Sequence, residues 1–354
     1  MKQIKQYIMF SLFITLAALN AASVAAAPAI SGSDFSPDDR LLVVRSADAP
    51  AYLAVERSFR AQLSQYMERL VSIKSINLDS VAELNKALSL TSQIPRVRQT
   101  FIVTIGAHAA HEVLNRYPAV PVLSVFIPRQ TYHTILDEVE TGQKTAGRSA
   151  VYLDQPDERL VLLAKSISRV NAKISLLSGP ENGVSLKARR CGGKTMPTLM
   201  SGVSVHHQEM SSRVLKHTLT VSDVVIATPK LVKQSSNTIK WMLYMAYQRN
   251  IPVVGYSKAL VDAGAIAAVY SLPEDIGRQA AEIFLSQTEN NTPPSSAYPK
   301  YFQVGVNHDV VDALGYQKLN AADLRQTLME SALNCKENYV PVPQNKTKQR
   351  VTRR

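Results

Sequence analysis

Residues 251–286 constrain the fold more than any other part of this 354-residue chain. The stretch begins with IPVV, a short apolar run typical of a strand buried on both faces of a parallel sheet. The run breaks at Gly255, and a second extended piece ends at Tyr270. Pro273 and two carboxylates then begin a helix with one apolar face. This order predicts a strand that leaves one α/β lobe and feeds a helix in another.

The rest of the chain alternates strand and helix patterns, which is typical of parallel sheets with right-handed crossovers. We expect strands at 41–45, 72–77, 100–105, 120–126, 174–178, 221–227 and 251–254, and helices at 51–71, 80–88, 109–117, 156–168, 209–215 and 234–249. A chain of this length, with 45% apolar residues, suits two cores. The predicted fold class is α/β, with two Rossmann-like lobes of parallel sheet and helices on both faces.

The first 26 residues have the pattern of a secretory signal peptide. Lys2 and Lys5 precede an apolar segment, and Val24, Ala25 and Ala26 supply the small residues that a cleavage site needs. No cysteine lies near this site, which excludes a lipid anchor there. We therefore expect cleavage after Ala26 and a mature protein free in the periplasm.

The positive charge of the chain is concentrated at its end. The formal net charge is +12, but residues 336–354 hold six basic side chains against Glu337 alone, and the signal peptide holds two more. This distribution does not resemble a folded basic stripe with stacking aromatics, so no nucleic-acid partner is expected. The basic segment is interpreted as a solvated disordered tail or, alternatively, as a tether to anionic lipid headgroups or an acidic partner.

Candidate binding residues lie where the predicted strands end, because open α/β sheets bind ligands at that edge. Gly106 ends one strand, and the backbone amides of Ala107, His108 and Ala109 then open a helix, which attracts carboxylate or phosphate oxygens. After the next strand, Arg129 is a planar double donor for the same oxygens or, equally, a surface arginine in a rim salt bridge.

Tyrosines and hydroxyls complete the candidate set. Tyr152, Tyr256 and Tyr270 could hold a flat ligand between their rings, although tyrosines at such positions are nearly as often hinge packing. Ser46, Thr228 and Ser257 are strand-end hydroxyls that could bind the ligand.

These elements resemble those of a known family in order and spacing. The motifs are IPVVGYS, VDAGAIAAVYS and GRQAAEIFL, preceded by FIVTIGAHAAHEVL and YPAVPVLSVFIPR. Together with two further segments they cover most of the chain from about Leu41 to Leu319. The chain resembles the ABC-transporter substrate-binding proteins related to tryptophan- and tyrosine-binding receptors, which have the type I periplasmic-binding fold.

The resemblance implies discontinuous lobes joined by three crossovers, near Ala150, Tyr270 and Phe302. Lobe 1 is then expected at 41–149 plus 271–299, and lobe 2 at 150–270 plus 300–335, with 336–354 as the basic tail.

The resemblance also sets expectations for the ligand, because two turns depart from the family pattern. The family usually has Thr or Ser where this chain has Ala107, and often an Asp-Pro turn where it has Ile127 and Pro128 followed by Arg129. A ligand with net negative charge therefore fits better than a zwitterion.

Other chemistry finds little support in the sequence. His108, His111 and Glu112 could ligate a metal from one helix face, but exported zinc receptors use more histidines, so no metal and no cofactor is expected. No nucleophile motif has the required context, and we expect no enzyme activity. Cys191 and Cys335 either pair in the oxidising periplasm or remain two thiols.

The predicted function is that of a periplasmic solute-binding protein, a monomer, that closes over a small organic anion or aromatic solute and presents it to an ABC permease. The alternative is a sensory or accessory binding protein that reports to a membrane receptor or an outer-membrane transporter.

Overall fold

The computed structural model describes residues 40–66, 72–78, 100–139, 147–177, 190–191, 194–195, 203–206, 212–229, 236–290 and 295–333. In chain order its elements are β1 (Arg40–Arg45), α1 (Pro50–Tyr66), β2 (Ser72–Asn77), β3 (Thr100–Ile105), α2 (Ala107–Arg116), β4 (Val122–Ile127), α3 (Arg129–Val139), β5 (Arg148–Tyr152), α4 (Asp157–Ile167), β6 (Ile174–Leu177), β7 (Arg190–Cys191), β8 (Lys194–Thr195), β9 (Val203–His206), α5 (Ser212–Val221), β10 (Val224–Ala227), α6 (Ser236–Tyr247), β11 (Val253–Gly255), α7 (Lys258–Asp262), β12 (Ala267–Tyr270), α8 (Pro273–Asn290), β13 (Gln303–Val306), α9 (His308–Ala313) and α10 (Ala321–Leu333).

The described residues divide into two compact units. The first unit contains those up to Tyr152 together with those of Ile276–Ala297. Its five strands form a parallel sheet in the order β2-β1-β3-β4-β5. Because β1 lies between β2 and β3, the chain continues toward one edge of the sheet after β1 and toward the other edge after β3. This arrangement creates a topological switch point at the carboxyl ends of β1 and β3.

The core of the first unit is built from strands that are apolar on both faces. Every residue of β1 from Leu41 to Val44 is at most 1% exposed. Aromatic rings join the helices to this sheet: Phe284 of α8 lies edge-on to Phe101 of β3 at 5.0 Å and to Phe59 of α1 at 6.2 Å. The continuous apolar run of β1 therefore follows from helices covering both sides of a parallel sheet.

The second unit contains the described residues of Leu153–Asp275 and those from Tyr298 onward. Its six-stranded sheet has the order β13-β12-β11-β10-β6-β9, in which β13 is antiparallel to β12 and the other pairs are parallel. A separate hairpin pairs β7 with β8.

Helices cover both faces of the second sheet. Val224 and Ile226 face a layer formed by α4, α9 and α10, whereas Val225 and Ala227 face a layer formed by α5, α6 and α7. Successive residues of β10 thus alternate between two apolar layers, as the pleat of a strand requires.

Polar contacts within the second unit tie together the three places where the chain enters or leaves it. The Gln155 side chain donates to Ser271 Oγ at 2.8 Å, and the Ser271 hydroxyl donates to the Tyr301 carbonyl at 2.5 Å. The Arg159 guanidinium lies 4.2 Å from the centre of the Phe302 ring. The chain passes between units at residues 152–153, 275–276 and 297–298. Each of these three crossings thus lies within a few residues of Gln155, Ser271 or Tyr301, which are linked by hydrogen bonds.

The predicted fold class is confirmed, with two groups of mainly parallel strands flanked by helices. The predicted strand 221–227 was wrong at its start, because Val221 is the last residue of α5 and β10 begins at Val224. A β-branched residue such as Val221 at the end of a helix favours a strand prediction when only the local sequence pattern is considered.

Several predictions lie outside the described residues. These are the signal peptide at 1–26, the helix at 80–88, the basic tail at 336–354 and Cys335 with its pairing to Cys191. Across the helices that the structure does describe, none combines the length and the apolar character that a membrane crossing requires.

Helix α8 approaches α1 closely enough that only glycine fits at the crossing. A Cβ atom on Gly277 would lie 2.2 Å from the carbonyl oxygen of Val55 and 3.1 Å from the backbone nitrogen of Phe59. Backbone atoms cannot move aside as the end of a flexible side chain can. The close packing of α8 against α1 in the first unit therefore requires a residue without a side chain at position 277.

We predict that Gly277→Ala lowers the free energy of unfolding by about 1–3 kcal/mol, the usual cost of overpacking. Alanine favours helix by about 1 kcal/mol over glycine, so propensity alone would change stability in the opposite direction. Denaturant unfolding of the variant checks this. Gly147→Ala is the matched control, because nothing lies within 4 Å of its added Cβ. Equal midpoints for both variants would contradict the close approach.

Candidate ligand-binding site

The switch point of the first unit is held by a serine that bridges two strands. The Ser46 amide donates to the carbonyl of Ile105 at 2.9 Å, which fastens the end of β1 to the end of β3. The Ser46 hydroxyl oxygen accepts the amide hydrogen of Ala109 at 2.9 Å. Ser46 therefore caps α2 from a different strand, a role that the N-cap residue Gly106 cannot fill because it has no side chain.

Gly106 is required at this turn for two reasons. Its φ of 93° lies in the region that residues with a Cβ rarely adopt. An added Cβ would also lie 2.6 Å from Ser46 Oγ and 3.0 Å from the ring of Tyr52. The missing Cβ thus lets Ser46 and Tyr52 pack directly against this turn at the edge of the sheet.

The amides at the start of α2 divide into used and available groups. Ala109 donates to Ser46, and Ala110 donates to the carbonyl of Gly106 at 3.2 Å. The amides of Ala107 and His108 belong to the first turn, where a helix offers no carbonyl to pair with them. Of the three amides predicted to receive an anion, those of Ala107 and His108 therefore have no partner among the residues that the structure describes, and the His108 side chain is exposed beside them.

Two aromatic residues that the sequence analysis did not select stand beside this turn. Tyr52 of α1 and Phe126 of β4 meet edge to face, with ring centres 5.9 Å apart and planes at 86°. Both side chains are partly exposed. Phe126 has a φ of 58°, and the pairing of β4 with β5 shifts register there. This left-handed conformation is rare for a bulky residue. A β-bulge cannot be recognised reliably in a single sequence. The only sequence signal for this ring pair is that an aromatic residue lies near the end of β4 and another lies shortly after the end of β1.

Arg129 is the first residue of α3, and its side chain is exposed. A cation at this position adds to the partial positive charge that a helix carries at its amino end. Since α2 begins at the end of the neighbouring strand β3, two helix starts and one guanidinium belong to the same sheet edge.

Tyr152 is packed rather than open. It is 5% exposed, its ring contacts Tyr132 at 6.1 Å between centres, and its hydroxyl lies 3.4 Å from Nε2 of His133. This environment matches the hinge-packing alternative more closely than a ligand contact.

In the second unit, two of the predicted hydroxyls serve the backbone. Thr228 is buried and donates to the carbonyl of Leu177 at 2.8 Å, which joins the ends of β10 and β6. The Ser257 hydroxyl oxygen accepts the amide hydrogen of Leu260 at 3.3 Å and caps α7. Thr228 therefore joins two strand ends and Ser257 caps a helix, and the role of either residue in binding a ligand stays a prediction.

Tyr256 directly follows β11 and Tyr270 is the last residue of the neighbouring strand β12, and both side chains are partly buried. Burial raises the pKa of the Tyr256 phenol, and the negative charge of Asp154 raises it further. The phenol is therefore neutral at physiological pH and available as a hydrogen-bond donor or acceptor. Asp154 supplies an acidic group that the sequence analysis did not place near the strand ends.

A buried ionic network supports the loop that carries Ser46. The Glu56 side chain, 8% exposed, accepts hydrogen bonds from Arg45, from Arg60 at 2.7 Å and from the Ser75 hydroxyl. Arg45 also donates to Asp48 at 2.7 Å. Burial alone would raise the pKa of the Glu56 carboxyl, but the hydrogen bonds that it accepts outweigh burial and lower the pKa. The carboxylate is thus charged and fixes the arginine that directly precedes Ser46.

No metal site emerges from the described residues, since nowhere among them do three His, Cys, Asp or Glu side chains gather in an arrangement that could hold an ion. His111 instead faces two carboxylates, with Nδ1 3.4 Å from Glu112 and Nε2 3.7 Å from Glu138.

Comparisons with known proteins find similarity to solved structures. No protein-family profile and no curated protein sequence matches the chain. A ligand-free, open substrate-binding protein with adhesive properties from Clostridium difficile matches with a TM-score of 0.55 and 19% identity, over 79% of this chain and 96% of that one.

Two further solved structures are similar at lower scores. A conserved domain protein from Vibrio cholerae has a TM-score of 0.47 and 19% identity over 81% of this chain and 98% of that one. The ABC domain in complex with L-Trp from Streptococcus pneumoniae has a TM-score of 0.47 and 15% identity over 82% and 98%. The match to the Clostridium difficile protein shows that this chain has the fold of a substrate-binding protein.

We predict that Glu56→Gln lowers the free energy of unfolding at neutral pH by about 1.5–3 kcal/mol, the range for hydrogen bonds to a charged group. Because the folded-state pKa is lowered, this contribution is complete above the ordinary Glu value of 4.5 and is lost as the pH falls below it. Denaturant unfolding at pH 7 and pH 3.5 measures the difference.

Asp262→Asn is the control for this comparison. Asp262 pairs with Lys258 on the surface, where the two side chains are 59% and 67% exposed, so little change is expected at either pH. A Glu56→Gln effect as small as that of the control would show that the network does not stabilise the fold.

Proposed function

We propose that this chain is a periplasmic solute-binding protein of an ABC-type uptake system that closes its two lobes over a small organic anion or aromatic solute. The observation that carries the proposal is the sheet edge of the first unit. There Ser46 and Gly106 present the amides of Ala107 and His108 beside a partly exposed pair of aromatic rings. The fold shared with a substrate-binding protein supports the same interpretation.

The charges at this edge favour an anion. The two amides point from the positive end of α2, and Arg129 stands at the positive end of α3. The family turn that holds a ligand amine has no carboxylate in this chain, where Pro128 precedes Arg129. A carboxylate or phosphate group is therefore the expected head of the solute.

The aromatic side chains favour a flat body behind that head. The Tyr52 and Phe126 rings pack edge to face in the first unit. In the second unit, Tyr256 directly follows β11 and Tyr270 ends the neighbouring strand β12. Rings of this kind contribute both apolar area and favourable stacking geometry. An aromatic acid thus combines the two preferences of the residues present.

In this proposal, closure of the two lobes over the solute is what the membrane permease recognises. A solute that contacts both lobes binds the closed form more tightly and shifts the population toward it, and a membrane permease then recognises that form. The three short passages between units, near residues 152, 275 and 297, are the segments that must bend.

Binding without turnover is the expected outcome. The Thr228 hydroxyl donates to a backbone carbonyl, and the Ser46 and Ser257 hydroxyl oxygens accept backbone amide hydrogens. In the described part of the chain none of the three is hydrogen-bonded to a histidine, the base that would activate a serine or threonine nucleophile.

A second candidate is a sensory or accessory binding protein with the same fold. It is favoured by the replacement of the family hydroxyl with Ala107 and by the basic segment at 336–354. Absence of a permease gene beside this one would support it.

The function is tested with the mature protein purified without denaturation. Native mass spectrometry should reveal a bound mass, and a thermal-shift screen of aromatic amino acids, organic acids and purines should raise the midpoint for at least one class by mass action. No bound mass and no shift with any class would contradict solute binding.

We predict that Arg129→Ala weakens the affinity for an anionic solute from that screen by about 1.5–3 kcal/mol, the range for charge-assisted hydrogen bonds. Titration calorimetry measures the change. Arg57→Ala is the control, because Arg57 is an exposed arginine of α1 outside the proposed site. Unchanged affinity in Arg129→Ala would remove this residue from the site.

A further inference from the structure

The two helical layers of the second unit carry opposite charge. The sequences of α5 and α6 contain Arg213, Lys216 and Lys240 and no carboxylate, and α7 of the same layer adds Lys258 and Asp262, which pair with each other. The helices α4, α9 and α10 across the same sheet carry six carboxylates against three basic side chains: Asp157, Glu158, Asp309, Asp312, Asp323 and Glu330 against Arg159, Lys165 and Arg325. The unit is therefore electrically polarised across its own sheet.

The positive layer also exposes large aromatic side chains. On α6, Lys240, Tyr244 and Tyr247 share one stripe, and the tyrosines are 60% and 48% exposed. The opposite stripe of α6, including Met242 and Ala246, is buried against the sheet. We call the outward surface formed by Arg213, Lys216, Lys240, Tyr244 and Tyr247 the basic face.

Among the described residues, the carboxylate that follows α5 is paired with groups outside the basic face. Asp223, which follows α5, is engaged by Arg169 at 2.7 Å and by the Lys173 amide at 2.8 Å. Arg213, Lys216 and Lys240 are all exposed. A positive surface of this kind attracts an extended anionic surface by charge complementarity.

We propose that the basic face docks the protein on an anionic phospholipid surface, an interaction separate from solute binding. Lysine and arginine side chains are attracted to anionic headgroups, and tyrosine rings favour the interfacial region because they are apolar with one polar tip. The acidic layer on the far side of the sheet is repelled by the same surface. Docking is therefore oriented, with α5 and α6 toward the lipid.

The chain contains its own reporter of this orientation. Trp241 is the single tryptophan of the sequence, and it lies on α6 next to Lys240, partly buried against the core of the unit. Brominated acyl chains quench tryptophan fluorescence when they come close. Quenching therefore reports contact of α6, rather than of another surface, with the bilayer.

The experiment measures vesicle binding of the mature chain, with the basic segment 336–354 retained in every variant. The vesicles contain equal phosphatidylglycerol and phosphatidylcholine, or phosphatidylcholine alone. The face variant combines Arg213→Glu, Lys216→Glu and Lys240→Glu. The control combines Arg57→Glu, Lys74→Glu and Lys318→Glu, three exposed positions outside the face with the same change in net charge.

The expected result is sedimentation with anionic vesicles only, and quenching of Trp241 by brominated lipid in them. Removing one basic side chain from the headgroup surface weakens partitioning about fivefold, so the binding of the face variant falls at least about 100-fold. The binding of the control falls much less. If the face variant has a lowered melting midpoint, Lys216→Gln with Lys240→Gln replaces it, with an expected loss of about 25-fold.

Three outcomes overturn the proposal. The first is no binding of the native protein to anionic vesicles, which would leave an acidic protein as the partner to consider. The second is an equal loss in face variant and control, which would assign binding to net charge or to the basic segment. The third is vesicle binding with Trp241 unquenched.

Discussion

The contact between Ser46 and the start of α2 holds together the sheet edge at which we propose that the solute binds. One hydrogen bond fastens β1 to β3, and a second caps the helix that leaves β3. Both depend on Gly106, whose conformation and lack of a Cβ bring the two strand ends together. Because β1 and β3 flank the switch point of the sheet, this contact fixes the position of the backbone amides in the proposed site.

The rest of the first unit holds that contact in place. The buried Glu56 network fixes Arg45, the residue before Ser46, and the Gly277 crossing presses α8 against α1, from which both Glu56 and Tyr52 project. A change in core packing can therefore reach the binding edge through α1. In the second unit the Thr228 hydroxyl joins two strand ends and the Ser257 hydroxyl caps α7.

Much of the fold could be predicted because parallel strands buried on both faces have a continuous apolar pattern. The strands at 72–77 and 100–105 were predicted with the bounds observed, and Pro273 marked the start of α8. The start of β10 was wrong because Val221 favours a strand locally but ends α5 through packing of that helix. Strand β13 forms by antiparallel pairing with β12, which is distant from it in sequence, and no local sequence pattern predicts that pairing.

The site was harder to predict, because its geometry arises from contacts distant in sequence. Gly106 and the amides after it follow from a strand-glycine-helix pattern, but Ser46 was selected only as a strand-end hydroxyl. Its bond to Ala109 spans 63 positions. Phe126 and Tyr52 were missed since a bulge and an edge-to-face contact are tertiary features. Tyr152 was assigned two alternatives, and its burial favours packing.

The most direct measurement follows the backbone amides of Ala107 and His108 by ¹H–¹⁵N NMR while an anionic aromatic solute is added. If the solute binds at the switch point, these two resonances shift downfield and saturate at the calorimetric stoichiometry, whereas Ala109, already bonded to Ser46, moves less. Saturable binding that leaves the resonances of Ala107 and His108 unmoved would contradict the site.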